Sequence, residues 1–258
     1  MSTMSLIKTM LRPSWRAVKH ALLPKLLRMA QLECPLESVG GRENDPDHFG
    51  RLMLNPELLS TDSVVYAFGV GDDISFDLAL VNRFGCKVHA FDPSPHSIEW
   101  VNAQQTPPEW MFHQYGLADV DGTITLFSPD DPNWVADTVY AKQYSTSKGV
   151  PCPVYRLATI MQMLGHSKLA LVKMNIEGGE YAAIADLLRS EISVPQLLIS
   201  FHHTFKEIGT ATTLAAIRAL NSAGYMTCSV SYNGEEVAFL NTKQLGGMPS
   251  KRGPGKAL

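Results

Sequence analysis

Two short stretches of the chain, each an apolar run that ends in a distinctive residue type, constrain its fold more than any other feature. Residues 64–73 form an apolar run that passes into a glycine-containing turn, which is typical of a buried parallel strand followed by a tight turn. Residues 88–92 form a second such run, which ends in the carboxylate of Asp92 about 20 residues beyond the glycines. At that spacing an acidic side chain meets the ribose hydroxyls of a ligand in a Rossmann-type fold. The two stretches therefore predict a parallel α/β sheet with a ligand site at its edge.

The charge of the glycine turn narrows the choice of ligand. Gly69 and Gly71 would let the backbone approach a ligand closely, because neither carries a Cβ atom. Asp72 and Asp73 follow directly, however, and two carboxylates would face the pyrophosphate of a dinucleotide. A ligand with a ribose and a cationic end but no phosphate fits this turn better. S-adenosylmethionine has that pattern, so we expect it rather than a nicotinamide dinucleotide.

Composition and charge favour a soluble domain and disfavour a nucleic-acid partner. At 258 residues, with 45% apolar and 18% charged residues, the chain is long enough for one soluble domain with a full core. The formal net charge of −3 gives no bulk electrostatic case for binding nucleic acid, so we expect no nucleic-acid partner. The four cysteines lack the spacing of metal ligands and are predicted to be buried free thiols, which fits a reducing, cytoplasmic location.

The two ends of the chain differ from its middle. Residues 1–38 carry six lysines and arginines, no acid precedes Glu33, and apolar side chains gather on one helical face that two prolines interrupt. This pattern predicts a basic helical extension that is solvated or docked. No apolar run here could span a bilayer. Peripheral membrane contact or an organelle presequence is the alternative. Residues 246–258 are predicted to be a disordered tail, which leaves residues 39–245 as the folded domain.

Between the ends, strand-like and helix-like segments alternate along the chain. The strand-like segments are residues 63–68, 87–91, 111–117, 123–127, 169–176, 196–201, 225–230 and 236–240. The helix-like segments are residues 74–83, 97–103, 155–164, 180–188 and 212–223, and residues 128–153 are predicted to be a long loop. Asp-Gly at residues 121–122 and Asn-Gly at residues 233–234 predict hairpin turns. The alternation predicts a mostly parallel α/β sheet with helices on both faces and a late antiparallel hairpin.

Several motifs follow one another in a fixed order from the first glycine turn to a late pair of histidines. They are Phe68-Gly69-Val70-Gly71, Phe84-Gly85-Cys86, His89-Ala90-Phe91-Asp92-Pro93, residues 116–122, Lys173-Met174-Asn175-Ile176-Glu177-Gly178-Gly179-Glu180 and residues 196–203. In this set and order the chain resembles the FkbM family of class I S-adenosylmethionine-dependent methyltransferases, over roughly residues 39–240. The resemblance implies a Rossmann-like class I methyltransferase sheet with S-adenosylmethionine as the cofactor.

The resemblance also implies a set of cofactor-binding residues at the ends of the first strands. They are Gly69, Gly71, Asp72, Asp73, Ser75, Asp92 and Asp119. Asp92 would accept both ribose hydroxyls, although it could instead be a turn residue before the following proline. Asp72 or Asp73 would hold the amino group of the cofactor, directly or through water, and either could also cap the next helix. Asp119 would lie near the adenine, with a hairpin turn residue as the alternative.

The expected chemistry lies at the ends of two later strands. Asn175 and Glu177 alternate with an isoleucine and so share one side of their strand. The family usually carries Asp where Asn175 stands and Glu where Ser200 stands, so two expected carboxylates are absent from this chain. One of His202 and His203 is a candidate general base for the proton of a substrate hydroxyl. A metal site made of Glu177 and these histidines is an alternative, but no spacing requires it and no metal is predicted.

These expectations favour one function and leave two others open. We expect O-methylation of a hydroxyl on a small-molecule, sugar or lipid-linked acceptor, with residues 128–153 shaping the acceptor pocket because loops carry specificity. A cofactor-binding protein of the same fold without transferase activity is the alternative, since Asn175 and Ser200 replace acids. A nicotinamide-dependent oxidoreductase is the third hypothesis, which the carboxylates of the glycine turn disfavour. Glu180 would lie near the chemistry or stabilise the start of the helix that it opens. No oligomeric state is predicted.

Overall fold

The structure is a computed structural model that describes residues 23–25, 27–28, 31–40, 52–128, 130, 137–138, 146 and 148–245. The predicted tail at residues 246–258 and most of the predicted basic extension lie outside these residues. The strands are β1 (Glu37–Val39), β2 (Leu52–Leu54), β3 (Val64–Phe68), β4 (Lys87–Phe91), β5 (Trp110–His113), β6 (Gly116–Leu117), β7 (Gly122–Leu126), β8 (Val150–Tyr155), β9 (Leu171–Met174), β10 (Gln196–Ser200), β11 (Tyr225–Val230) and β12 (Glu236–Asn241). The helices are α1 (Ser75–Phe84), α2 (Pro95–Asn102), α3 (Leu157–Leu164), α4 (Glu180–Arg189) and α5 (Gly209–Ala223), with a 3₁₀ turn at Pro56–Leu58.

Seven of the described strands form one sheet, in the spatial order β11-β12-β10-β9-β3-β4-β5. Each neighbouring pair from β10 to β5 is parallel, whereas β12 runs antiparallel to both β10 and β11. This confirms the mostly parallel sheet with a late antiparallel hairpin. Starting from β3, the chain builds outward through β4 and β5 and later adds β9 and β10 on the other side of β3. The order therefore reverses between β3 and β9, and ligands of open α/β sheets bind in the crevice at such a point.

Alternating side chains of β3 show that helices cover both faces of this sheet. Tyr66 and Phe68 are fully buried in a cluster that includes apolar side chains of α3, α4 and α5. Val65 and Ala67 are buried in a second cluster, which includes side chains of α1 and α2. The two-residue period of a strand thus divides the core into two layers, as the alternation of strands and helices predicted.

The prediction of a single strand at residues 111–117 is wrong. β5 forms one edge of the large sheet, whereas β6 belongs to a separate three-stranded sheet in the order β6-β8-β7. The predicted hairpin at residues 121–122 is also wrong, because β6 pairs in parallel and β7 in antiparallel orientation with the same strand, β8. Asp121 instead accepts hydrogen bonds of 2.8 Å from the backbone N–H of Arg156 and from the hydroxyl of Thr159, which fixes the start of α3.

β8 lies where the predicted loop, residues 128–153, meets the predicted helix, residues 155–164. Pro151 and Pro153 obscure its strand pattern, because proline donates no ladder hydrogen bond. Both prolines are exposed, while Cys152 and Val154 are buried, as expected for a strand with one covered face. β6 pairs with β8 beyond the two prolines, so the prolines have a strand partner on one side, which is β7. The helix predicted to begin at residue 155 therefore begins two residues later, at Leu157.

Residues before β1 pack onto the sheet. Leu23 and Leu27, on helical backbone, are 1% and 3% exposed and belong to the same cluster as Phe68. The backbone N–H of Leu32 donates a 2.7 Å hydrogen bond to the carbonyl of Thr227 on β11. The division of the chain at residues 38 and 39 stays a prediction, and it falls inside β1. In the described part of the chain, no helix combines the length and apolar character that crossing a membrane requires.

The cysteines are free thiols, as predicted, and three of the four are buried while Cys34 is half-buried. A cluster of histidines is a feature that the sequence did not indicate. Nδ1 of His89 lies 2.9 Å from Nε2 of His113, and their rings stack. The ring of His166, after α3, lies 4.7 Å from that of His89, and its Nδ1 shares a 2.7 Å hydrogen bond with the Tyr66 hydroxyl. Burial lowers the pKa of His89 to about 4, and the neighbouring histidines add to this effect.

Candidate active site

A cavity of about 410 Å³ opens at the carboxyl ends of β3, β4 and β9, where the strand order reverses. Its size is that of a small-molecule site. Side chains of the glycine turn after β3, of the turns after β4 and β9, and of β7, β8 and β10 line it. The cavity therefore joins the predicted cofactor residues other than Asp119 to two of the predicted catalytic residues, Asn175 and Glu177.

The two glycines of the turn are required for different reasons. Gly69 has a φ of +88°, and a Cβ atom at this residue would clash with the backbone carbonyl of Asn175. Gly71 has a φ of +58°, but a Cβ atom there would meet nothing within 4 Å. Gly69 thus permits a close backbone approach between the turn and the end of β9. Gly71 provides an unusual backbone angle and leaves open space beside the turn.

Asp92 is fixed at the cavity wall by backbone groups. Its Oδ2 accepts hydrogen bonds from the N–H groups of Val70, at 2.9 Å, and Gly71, at 3.1 Å. Its Oδ1 accepts one from the N–H of Ser94, at 2.9 Å, where α2 is about to begin. The carboxylate is 8% exposed and lines the cavity. A carboxylate has lone pairs for more than three hydrogen bonds, so the predicted contact with ribose hydroxyls is compatible with this arrangement.

The other acidic residues near the turn differ in whether they line the cavity. Asp72, Asp73 and Ser75 all line the cavity, and Asp73 Oδ1 also accepts a 2.8 Å hydrogen bond from the Ser75 N–H at the start of α1. Asp77, one turn further, is 4% exposed and accepts a 3.0 Å hydrogen bond from Nε1 of Trp110. Burial raises the pKa of this carboxyl. Asp119 is exposed and is not among the cavity-lining residues.

A hydrogen-bonded series of three side chains lies at the other end of the cavity. Glu177 lines the cavity, and its φ of +50° is rare for a residue with a side chain. His202 places Nε2 at 3.3 Å from Oε1 of Glu177 and Nδ1 at 2.8 Å from Oε1 of Glu180. Burial alone would lower the pKa of His202, but the two carboxylates outweigh it and raise the pKa well above its ordinary value. The two carboxylates therefore favour the protonated form of the imidazole.

Glu180 is the fixed member of this series. Its side chain is fully buried, and its two oxygens accept 3.0 Å hydrogen bonds from the N–H groups of Ile176 and Gly178. These N–H groups lie at the start of α4, where a carboxylate is stabilised by unpaired backbone donors and by the helix dipole. Glu180 thus stabilises the helix that it opens, as one of its two predicted roles required, and it contacts His202 as well.

The remaining catalytic candidates do not all reach the cavity. Asn175 and Ser200 line it, as Glu177 does. His202 lies behind Glu177 and outside the lining, and His203 is 1% exposed and also outside it. Among the described residues, no group of three or more His, Cys, Asp or Glu side chains has the geometry to hold a metal ion.

Three charged lining residues, Lys173, Glu236 and Asp137, were not predicted from the sequence. Lys173, on β9, donates a 2.7 Å hydrogen bond from Nζ to the carbonyl of Gly69. Glu236 pairs with Ser200 through the antiparallel register of β12 and β10, which no local pattern reveals. Asp137 comes from the segment predicted to shape the acceptor pocket. The position of Lys173 inside the motif shared with the family is the one signal that could have found it.

The cavity-bearing part of the chain matches a known family. Residues 63–226 match the model described as the methyltransferase FkbM domain. Probable methyltransferase-like protein 24 of Rattus norvegicus is 25% identical over 159 residues, which cover 60% of this chain and 36% of that protein. The human protein of the same name is 24% identical over 155 residues, or 59% of this chain and 36% of that protein. The match therefore spans little more than a third of these relatives.

Solved structures show weaker likenesses. Fibrillarin of Aeropyrum pernix, in complex with natively bound S-adenosyl-L-methionine, gives a TM-score of 0.41 at 7% identity, covering 72% of this chain and 68% of that one. An rRNA methylase of Streptococcus thermophilus gives 0.38 at 13% identity, covering 72% and 90%. Scores this low support no conclusion about ligands or acceptors.

Proposed function

Because the chain belongs to the FkbM methyltransferase family, we propose that it transfers a methyl group from S-adenosylmethionine to a hydroxyl oxygen of a small-molecule, sugar or lipid-linked acceptor. S-adenosylmethionine is the cofactor, and it supplies an electrophilic methyl group on a positively charged sulfur. The observation that carries the proposal is the cavity that joins the glycine turn and Asp92 to Asn175 and Glu177. Methyl transfer needs little beyond such a site, since it requires an acceptor atom held in line and close to the methyl group.

The residues at the glycine-turn end fit this cofactor. Asp72, Asp73 and Asp92 bring carboxylates to the lining, and the cofactor brings a sulfonium, an amino group and two ribose hydroxyls. The ammonium of Lys173 is directed to the Gly69 carbonyl, so it reinforces the turn. The open space beside Gly71 leaves room for a ligand against the backbone. Asp92 would hold the ribose, and Asp72 or Asp73 the amino group.

The residues at the other end fit a neutral hydroxyl acceptor. Asn175 and Ser200 offer hydrogen-bonding groups without charge, and Glu177 offers a carboxylate that can accept a proton. Asp137 and Glu236 complete this end of the lining, so we place the acceptor there. Asp137, which belongs to the predicted acceptor loop, therefore supports the proposal.

A cofactor-binding protein without transferase activity is the second candidate. It is favoured by the position of Asn175 and Ser200, because both lie in the lining where the family usually has carboxylates. Glu177 remains beside them and argues for chemistry. Binding of the cofactor without methyl transfer to any hydroxyl acceptor in a broad panel would favour this second candidate.

The first test is calorimetric binding of S-adenosylmethionine and S-adenosylhomocysteine, with NAD as the control ligand. We expect micromolar binding of both compounds, loss of binding in Asp92→Ala, and no binding of NAD. Asp62→Ala is the matched control, since Asp62 is an exposed aspartate outside the cavity lining. Failure of the folded wild-type protein to bind either compound would overturn the proposal. Release of S-adenosylhomocysteine in the presence of hydroxyl acceptors would then identify the acceptor.

A further inference from the structure

His202 is held from both sides by carboxylates. Its Nδ1 is 2.8 Å from Oε1 of Glu180, and its Nε2 is 3.3 Å from Oε1 of Glu177. A carboxylate accepts hydrogen bonds, and a neutral imidazole can donate from one nitrogen but not from both. Both contacts are therefore satisfied when the ring carries two protons. In that state His202 has no nitrogen available to accept a proton from a substrate.

The Glu180 carboxylate fixes the position of the His202 ring. Glu180 is fully buried and already accepts hydrogen bonds from the N–H groups of Ile176 and Gly178. It cannot turn away from His202 without leaving these backbone donors unpaired in a buried place, which is unfavourable. The imidazolium is therefore anchored to the start of α4, and its second N–H is directed to Glu177.

The Glu177 carboxylate faces the cavity, and the Glu177 backbone has an unusual conformation. Glu177 has a φ of +50°, a conformation that residues with side chains adopt rarely and that tends to occur at functional sites. Its carbonyl accepts a 3.3 Å hydrogen bond from the hydroxyl of Thr138, and its side chain is held by His202. Glu177 is thus held at both its backbone and its carboxylate, beside Asn175 in the lining.

We propose that His202 and Glu180 are positioning residues that hold the Glu177 carboxylate at the acceptor end of the cavity, so that Glu177 and not a histidine takes the acceptor's proton. The inference rests on the methyl transfer proposed above. In that step the acceptor oxygen forms a bond to the methyl carbon, the electron pair of the sulfur–methyl bond passes to sulfur, and the hydroxyl proton passes to an oxygen of Glu177.

The test is a pH titration of ¹⁵N-histidine-labelled protein, followed by NMR, with His202→Gln used to assign the signals. We expect both ring nitrogens of His202 to stay protonated above neutral pH in the wild type. In Glu177→Gln the titration midpoint should fall towards the ordinary histidine range, because one carboxylate is lost. Glu191→Gln is the matched control, since Glu191 is exposed and also has a positive φ, of 53°; it should leave the midpoint unchanged.

A crystal structure of His202→Gln gives a second readout. We expect the Glu177 carboxylate to leave the cavity or its backbone to relax to a negative φ, since glutamine has both donors on one nitrogen and carries no positive charge. A wild-type His202 with a single N–H at neutral pH, or a Glu177 that keeps its position in His202→Gln, would overturn the inference. Calorimetry of S-adenosylhomocysteine on the same proteins separates the two proposals. If the wild type binds no cofactor, the proposed function fails, whatever the state of His202.

Discussion

Lys173 holds the glycine turn from the neighbouring strand, because its ammonium donates a 2.7 Å hydrogen bond to the Gly69 carbonyl. We predict that Lys173→Met weakens the binding of S-adenosylhomocysteine roughly tenfold. A hydrogen bond from a charged group is worth about 1.5–3 kcal/mol, and part of that would be lost from the turn that we propose contacts the ligand. Calorimetry is the measurement. S-adenosylhomocysteine has no net charge, so it reports the turn's position more than the removal of a positive charge.

Lys168→Met is the control for this prediction, because Lys168 is exposed and is not among the cavity-lining residues. It should bind like the wild type. Equal or tighter binding by folded Lys173→Met would show that the hydrogen bond to Gly69 does not shape the site.

Gly69 illustrates what a single residue type can and cannot predict. A glycine after an apolar strand indicated a close approach, and the approach exists. The partner, however, is the carbonyl of Asn175 from the end of β9, more than a hundred residues away in the chain. The sequence could not identify that partner, because every residue has a backbone carbonyl and the contact requires no particular residue type. The position of Asp92 in the cavity wall was easier to predict, because its spacing from the glycines follows from the length of one strand–helix–strand unit.

At the scale of the element, Asp121 stabilises the start of α3. It accepts hydrogen bonds of 2.8 Å from the Arg156 N–H and the Thr159 hydroxyl. We predict that Asp121→Ala lowers the free energy of unfolding by about 1 kcal/mol, as loss of a helix cap does. Urea denaturation measures it. Asp119→Ala removes the same charge from an exposed position two residues away and should cost less. Equal losses in both variants would attribute the effect to net charge.

The elements that were predicted well are strands with turn residues on both sides. β4 and β11 begin and end where the sequence indicated, because a glycine lies shortly before each and turn residues follow each. β8 was hidden by Pro151 and Pro153, which are compatible with a strand only where a neighbouring ladder is missing. The pairing of β6 and β7 was equally hidden, since both take β8 as their partner and β8 comes later in the chain. Glu236 entered the site through register, which depends on the fold and not on local pattern.

For the whole molecule, the histidine cluster makes stability depend on pH. The pKa of His89 is lowered to about 4 from 6.5, by burial first and then by His113, His166 and Lys87. Tyr66 and Tyr115 also face the cluster. His89 takes up a proton near pH 6.5 in the unfolded chain but not in the folded chain. Its contribution to the free energy of unfolding is therefore fully present above pH 6.5. It is lost as the pH falls from 6.5 towards 4.

We therefore predict that His89→Phe loses less free energy of unfolding than the wild type between pH 7 and pH 5. Urea denaturation at the two pH values measures this difference. His113 also has a pKa lowered by burial, so part of the pH dependence should remain. His96→Phe, at an exposed position of α2, should follow the wild type. A His89→Phe curve parallel to that of the wild type would show that the lowered pKa of His89 does not cause the pH dependence of stability.

The reversed direction of β12 has a consequence for how such a site can diversify. Since β12 runs against its neighbours, it contributes its first residue, Glu236, to the edge where the parallel strands end. The end of the cavity that we propose for the acceptor is thus encoded partly by a hairpin late in the chain, while the glycine turn and Asp92 are encoded before residue 93. Mutations in the hairpin can alter the acceptor end and leave the other end intact. With the cofactor and acceptor bound as we propose, a lineage can therefore exchange acceptors while inheriting one cofactor site.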